Sequence, residues 1–335
     1  MIKRSCALLV IVLFLAACKT HPVVKYNSIS GSTMGTTYNI IYQGLDPDQL
    51  KSEIDSVLIE VNAALSTYEP GSVISLFNKA YSKYVVNDDA ILNHHFIENF
   101  ELSSRINRES KGAFEPTIMP VVNYWGFGYT GKIKVTNVDS TMISQLITRV
   151  GLDKIKRTEN KLLKQDTLVE LDFSGIAKGY GVDYIAKYIE NKDVSNYYVE
   201  IGGEVYAEGV NERGQIWRTG ISVPSPDATS NDYQEIIEIS EKGIATSGNY
   251  RNFYESDGQI FSHTINPETG FPERNAILSV TIIAPSCAIA DGFSTACMVL
   301  GLEKSKNIIR ANGEIEGIII YANENNELTI FDSRT

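Results

Sequence analysis

Leu168-Val169-Glu170-Leu171-Asp172-Phe173-Ser174-Gly175-Ile176-Ala177-Lys178-Gly179-Tyr180-Gly181 is the stretch from which the fold is read. Residues 168–173 read as a strand, Ser174-Gly175 as a tight turn, and the residues after that turn as a helix to about Asn191. Tyr197 to Ile201 forms the next strand, ended by Gly202-Gly203. Upstream, Thr36 to Tyr42 carries the aromatic and β-branched residues of a strand. Asp46-Pro47 then opens a helix to about Leu65, with Leu50, Ile54, Val57, Leu58, Val61 and Leu65 at helical spacing. Further helices are predicted over 89–110 and 139–150, and residues 116–137 read as structured loop. Downstream, strands are expected at 205–210, 217–223, 235–240 and 277–283, helices at 288–300 and 303–311, and a terminal hairpin over 315–321 and 328–331. The pattern is a mixed α/β chain of the α+β type, in two closely packed lobes without a clear linker.

The 335 residues, 43% hydrophobic and 21% charged, have a globular balance and enough length for a sizeable core. A formal charge of -11 argues against nucleic-acid binding, which needs a basic face. At the N-terminus, Lys3 and Arg4 precede an uncharged apolar run from Cys6 to Leu15, the layout of a secretory signal. The run falls short of the roughly 20 residues that span a bilayer. Leu15-Ala16-Ala17-Cys18 resembles the bacterial lipoprotein processing box, which implies cleavage after residue 17 and lipid (palmitate among it) on Cys18. Residues 18–27 then read as a tether, 28–331 as the folded domain and 332–335 as a tail. Cys287 and Cys297 share one apolar stretch and read as small buried residues rather than a disulfide framework.

Several positions can carry chemistry. Around Lys178, small residues and a helix N-terminus suit phosphate, although a tight turn with a solvent-facing lysine explains the same residues equally well. The segment has neither the spacing of a P-loop nor that of a dinucleotide fingerprint. Gly202-Gly203-Glu204 is either a close backbone approach with a ligand-binding carboxylate or a plain turn. Thr246, Ser247 and Arg251 lie in a small, polar segment after a strand, which either forms a loop contacting phosphate or flavin or caps local backbone. His263, before Asn266-Pro267, is a candidate proton acceptor or a histidine bonded to its own turn. His94 and His95 lack the spacing of a zinc site. Asp291 and Thr295, four apart on a predicted helix, put a carboxylate and a hydroxyl on one face, where they either share a hard cation or serve as cap and core filler. Tyr68 and Trp125 are candidates for ring stacking or simple packing.

Taken in order, these segments resemble the FAD:protein FMN transferases of the ApbE family. The landmarks are Gly31-Ser32-Thr33-Met34-Gly35-Thr36, Leu65-Ser66-Thr67-Tyr68, Asp172 to Gly179, Gly202-Gly203-Glu204, Ala245-Thr246-Ser247-Gly248, Ser262-His263-Thr264 to Gly270, and Ala284-Pro285 to Thr295. The resemblance implies an ApbE-like fold with the flavin site between two lobes. It also implies transfer of FMN from FAD to a Thr or Ser hydroxyl of an acceptor flavoprotein, with release of AMP. By the same resemblance Asp291, Thr295 and the backbone oxygen of Ala177 hold Mg²⁺; Met34, Tyr68, Trp125, Asp172, Lys178, Glu204, Thr246 and Arg251 line the FAD site; and His263 is the general base. The turn Asn266-Pro267-Glu268 departs from the family's frequent Asp-Pro-Arg. Two other outcomes of the same residues are FAD hydrolysis to FMN and AMP, and FAD binding without turnover. The expected setting is the inner membrane, facing the periplasm or cell exterior, with a membrane redox complex supplying the acceptor.

Overall fold

The computed structural model describes residues 25–80, 84–85, 90–131, 135, 137–158, 161–224, 232–249, 253–256 and 259–335. Cys18 and Arg251, together with the predicted signal segment, lie outside the described residues. The elements run β1 (Tyr26–Thr33), β2 (Thr36–Gln43), α1 (Pro47–Leu65), α2 (Val73–Lys79), β3 (Tyr84–Val85), α3 (Ala90–Glu109), α4 (Met119–Tyr124) and α5 (Ser140–Ile147). After a short 3₁₀ turn come β4 (Ile155–Thr158), β5 (Lys161–Lys164), α6 (Ala177–Glu190), β6 (Tyr197–Ile201), β7 (Glu204–Glu208), β8 (Trp217–Ser222) and β9 (Tyr233–Ile239). The chain closes with β10 (Lys242–Gly248), β11 (Phe253–Ser256), β12 (Gln259–Ser262), β13 (Ile277–Ala284), α7 (Cys287–Leu300), α8 (Leu302–Ala311), β14 (Glu316–Ala322) and β15 (Leu328–Asp332).

Eight strands form the main sheet in the order β1-β2-β6-β7-β10-β13-β14-β15, and every neighbouring pair is antiparallel. Alternation sorts its faces. Tyr38, Ile40 and Tyr42 of β2 turn inward with Ile185 and Ile189 of α6 and Leu50, Ile54 and Leu58 of α1. A second, larger cluster joins α3 and α7 through Phe96, Phe100, Phe293 and Ala296 to Val280 and Ile282 of β13. The opposite face is covered by the β8–β9 hairpin, where Trp217, Ile221, Ile237 and Ile239 meet Val205, Ile244 and Ile318. A satellite cluster of Val121, Trp125, Ile143, Leu146 and Ile265 joins α4 and α5 to the segment after His263.

Local chemistry explains the elements that periodicity predicts. Asp46 caps α1 by accepting the Gln49 N–H at 3.0 Å, Pro47 sits at the first position, and the predicted stripe is buried. The two-residue turn between β1 and β2 places Met34 at φ 49° and Gly35 at φ 72°.

Several expectations need correction; residues 116–137, expected as structured loop, include α4. Residues 168–173 are not a strand: Glu170 makes one isolated bridge to Ile118, and the Asn78 side chain accepts the Leu171 N–H and donates to its carbonyl. A side-chain amide therefore satisfies the backbone that a neighbouring strand was expected to satisfy. Tyr26 and Asn27, expected in the tether, pair with Gln43 and Tyr42 in the sheet. The segment around Thr246 is a central strand rather than a loop after one. Residues 332–335 are tied down, since Arg334 pairs with Asp332 and Glu235. Cys287 and Cys297 are free and buried, as expected.

Candidate functional site

The start of α6 is the floor of the site. Gly179 is required there because a Cβ would lie 2.4 Å from the Cys287 carbonyl oxygen, and one on Gly175 would press tightly, at 3.1 Å, on the Phe114 and Thr295 side chains. This closeness lets α7 deliver its polar residues to the turn. Asp291 is 2% exposed, and its Oδ2 accepts the Gly179 N–H at 3.0 Å. The Lys178 Nζ lies 3.8 Å from the same oxygen and 3.1 Å from Glu204 Oε1. Two carboxylates thus hold Lys178, whose side chain is 29% exposed, and Glu204, 4% exposed at the start of β7, is not a surface-turn carboxylate.

Electrostatics follow from this burial. Desolvation works against the Lys178 charge, but Asp291 and Glu204 outweigh it and hold the ammonium pKa above its ordinary value. Desolvation raises Glu204, with Lys178 opposing. Glu204 Oε2 is buried with no hydrogen-bond partner, a free acceptor beside a cation. Asp172 is likewise raised by burial and opposed by the Ser174 N–H, which it accepts at 2.8 Å.

Hydroxyls complete the floor. The Thr295 hydroxyl lies 3.5 Å from the Gly175 carbonyl oxygen and 3.4 Å from Ser247 Oγ. Ser247 also pairs with Ser294 at 2.8 Å, and Ser294 donates to the Asp291 carbonyl. Carboxylate, hydroxyl and carbonyl oxygens without sulfur or imidazole form a donor set that fits a hard divalent cation. Among the described residues no group of three or more His, Cys, Asp or Glu could hold a metal, so any such ion depends on this mixed set.

The structure alters three assignments. The carbonyl beside Thr295 belongs to Gly175, not Ala177, whose own carbonyl lies inside α6 and points down the helix, away from its N-terminus. Thr246 pairs with Thr281 at 2.8 Å on the face of β10 shared with Ile244, while Ser247 faces α7. Strand alternation is the signal that separates the two hydroxyls, and a loop carries no such alternation. Trp125 is 0% exposed and donates to the Gly270 carbonyl at 2.7 Å, so it has no ring face to offer a ligand. The α6 N-terminus is also less open than expected, because the Ala177 N–H goes to Phe173 O and the Gly179 N–H to Asp291.

Other expected residues gather around the rim. Tyr68 is 69% exposed, with its hydroxyl 3.5 Å from the Phe127 carbonyl. Partial burial of that hydroxyl and then the Asp172 carboxylate raise its pKa. His263 is half-buried, and its ring stands edge-on to Phe127 with centroids 6.4 Å apart. Phe127 thus links Tyr68 to His263, a role nothing in the sequence signalled. Met34 packs on α6 where a Gly181 Cβ would lie 2.9 Å from its terminal methyl. A methionine at positive φ is held there by its surroundings, which suits a functional position.

The sequence pattern of the ApbE family matches residues 34–319. The chain belongs to the ApbE family. The FAD:protein FMN transferase of Vibrio cholerae is 40% identical over 304 residues, covering 90% of this chain and 88% of the relative. That of Haemophilus influenzae is 36% identical over 319 residues, with 92% and 90% covered. Among solved structures, the flavin transferase ApbE from Vibrio cholerae superposes with a TM-score of 0.83 at 36% identity, covering 92% of this chain and 97% of that one. The apo flavinyl transferase ApbE of Pseudomonas stutzeri gives 0.82 at 32%, with 93% and 95% covered. The ApbE likeness thus extends through every segment that builds the α6 floor and its rim.

Proposed function

We propose that this chain transfers the FMN half of FAD to a Thr or Ser hydroxyl of an acceptor flavoprotein and releases AMP. The supporting observation is the convergence of Lys178, Glu204, Asp291 and Thr295, from three separate elements, on one glycine-lined turn of a chain matching FAD:protein FMN transferases over 90% of its length. The acceptor oxygen bonds to the FMN phosphorus, and the bond from that phosphorus to the bridging oxygen breaks. AMP leaves with the bridging oxygen, and the hydroxyl proton passes to His263. Lys178 supplies a fixed positive charge to the diphosphate, and Glu204 holds the ammonium in place. Met34, Tyr68 and Asp172 flank the ring end, while Ser247 orients the Thr295 hydroxyl. Mg²⁺ bound by Asp291, Thr295 and the Gly175 carbonyl would offset diphosphate charge as the bond breaks.

The test is incubation of the solubilised full chain with FAD, Mg²⁺ and a candidate acceptor, following AMP and protein-bound flavin separately. Asp291→Asn is expected to abolish metal-dependent AMP release, and His263→Ala to slow transfer about 10²-fold or more while FAD binding persists. AMP and free FMN without labelled acceptor would make the chain a hydrolase, and FAD retained without turnover would make it a carrier. Either result overturns transfer. We also propose that Cys18 carries lipid and tethers the domain to the outer side of the inner membrane, within reach of an acceptor in a membrane redox complex. The motif Leu15-Ala16-Ala17-Cys18 supports this.

A further inference from the structure

Asp183, half-buried in the second turn of α6, has no part in the chemistry above, yet both of its oxygens are committed. Oδ1 accepts the Cys287 N–H at 2.7 Å and Oδ2 the Ala288 N–H at 2.8 Å. These are the first two amides of α7, groups with no partner inside their own helix. The opposite contact runs the other way: Asp291 of α7 accepts the Gly179 N–H, the third amide of α6, whose N-cap residue Ile176 makes no side-chain cap. Each helix therefore supplies the carboxylate that caps the other. The start of α7 has no slack against α6 or β10, since a Cβ on Gly179 of α6 would collide with the Cys287 carbonyl and one on Gly243 of β10 with the Cys287 amide.

We infer that Asp183 is a positioning residue: by gripping the first two amides of α7 it sets the height and rotation at which Asp291 and Thr295 meet the Gly175–Gly179 turn. Asp291 lies one helical turn beyond Cys287, and Thr295 one turn further, so a slide or roll of the α7 start carries both oxygens with it. A carboxylate suits the task because two donors need two acceptors and the positive end of a helix favours negative charge. An asparagine offers only one acceptor and sets an NH₂ against the second N–H. The inference rests on the proposed cation at Asp291 and Thr295 and adds the residue that holds those two in place. Asp183 touches neither metal nor substrate.

The test compares the solubilised full chain with Asp183→Asn, Asp183→Ala and Asp46→Ala, the last removing the side-chain cap of α1, which touches neither α6 nor α7 through that carboxylate. Mg²⁺ affinity is measured by calorimetry on chelator-treated protein, FAD affinity by flavin fluorescence in chelator, and Tm by circular dichroism. Asp183→Asn is expected to weaken Mg²⁺ binding roughly 10-fold or more while FAD affinity changes less than about twofold. Asp46→Ala should lower Tm yet keep Mg²⁺ affinity. If Asp183→Ala does not fold, the nearly isosteric Asn variant carries the test. Wild-type Mg²⁺ affinity in a folded Asp183→Asn overturns the inference alone. So does a parallel loss of Mg²⁺ and FAD affinity that follows Tm in Asp46→Ala as well. Absence of Mg²⁺ binding by the unaltered chain overturns the metal reading and the inference with it.

Discussion

Replacing Gly179 with alanine sets two local effects against each other, and the structure decides between them. In an isolated helix the change is favourable by about 1 kcal/mol, because glycine loses more backbone freedom on folding. Here the new methyl would lie 2.4 Å from the Cys287 carbonyl oxygen, 2.7 Å from its carbon and 2.8 Å from the Ala288 Cα. All three are backbone atoms at the start of a buried helix and cannot swing aside as a side chain would. Forcing a methyl into such a contact costs about 1–3 kcal/mol. Separating the helices also stretches the Gly179–Asp291 hydrogen bond, a charge-assisted contact worth about 1.5–3 kcal/mol. The net expectation is a loss of about 2–4 kcal/mol despite the better helix former. For a chain of this size that is a fall in Tm of roughly 3–6 °C. Gly313→Ala is the control, since no atom lies within 4 Å of its added Cβ, and its change should stay within about 0.5 kcal/mol. Denaturant unfolding and thermal scans of both variants measure the difference. A Gly179→Ala protein as stable as the parent would refute the contact between α6 and α7 on which the site geometry depends.

Lys164 gives a pH-dependent expectation. It is 1% exposed, its Nζ donates to the carbonyls of Phe77 at 3.1 Å and Asn78 at 3.2 Å, and burial lowers its pKa to about 8 from 10.5. Between these values the native chain has released a proton that the unfolded chain keeps, so stability rises with pH, by about 3 kcal/mol across the window. The cost of the buried charge is fully present below pH 8 and gone above 10.5. Lys164→Met should lack this rise, and parallel unfolding curves for the two proteins from pH 8 to 10.5 would contradict it. For the anchor, Cys18→Ala should move the chain from the membrane to the soluble fraction or leave it with an uncleaved signal. Unchanged processing and membrane association would rule out lipid on Cys18.

Some of this protein can be read from its sequence because the cause is local. The six apolar residues of α1, capped by Asp46 and Pro47, specify a helix whatever surrounds them, and the 3.6-residue period says which face is buried. The same holds for α7, where Asp291 and Thr295 share a face because they are four residues apart. The ordered motifs identified the family for a related reason: each is a short run whose residue types and spacing are themselves the signal. What the sequence could not determine depends on partners far along the chain. Residues 168–173 look like a strand, but Asn78, more than 90 residues earlier, takes the place of the neighbouring strand. Trp125 looked available for stacking until Gly270 and the α5 cluster enclosed it. Thr246 and Ser247 have nearly the same chemistry, and only the register of β10 in the sheet turns one away from α7 and the other toward it. The exchange of caps between Asp183 and Asp291 joins residues over 100 positions apart. Hydrogen bonding of this kind leaves no period in the chain, so it exists only once α6 and α7 have packed at glycine distance.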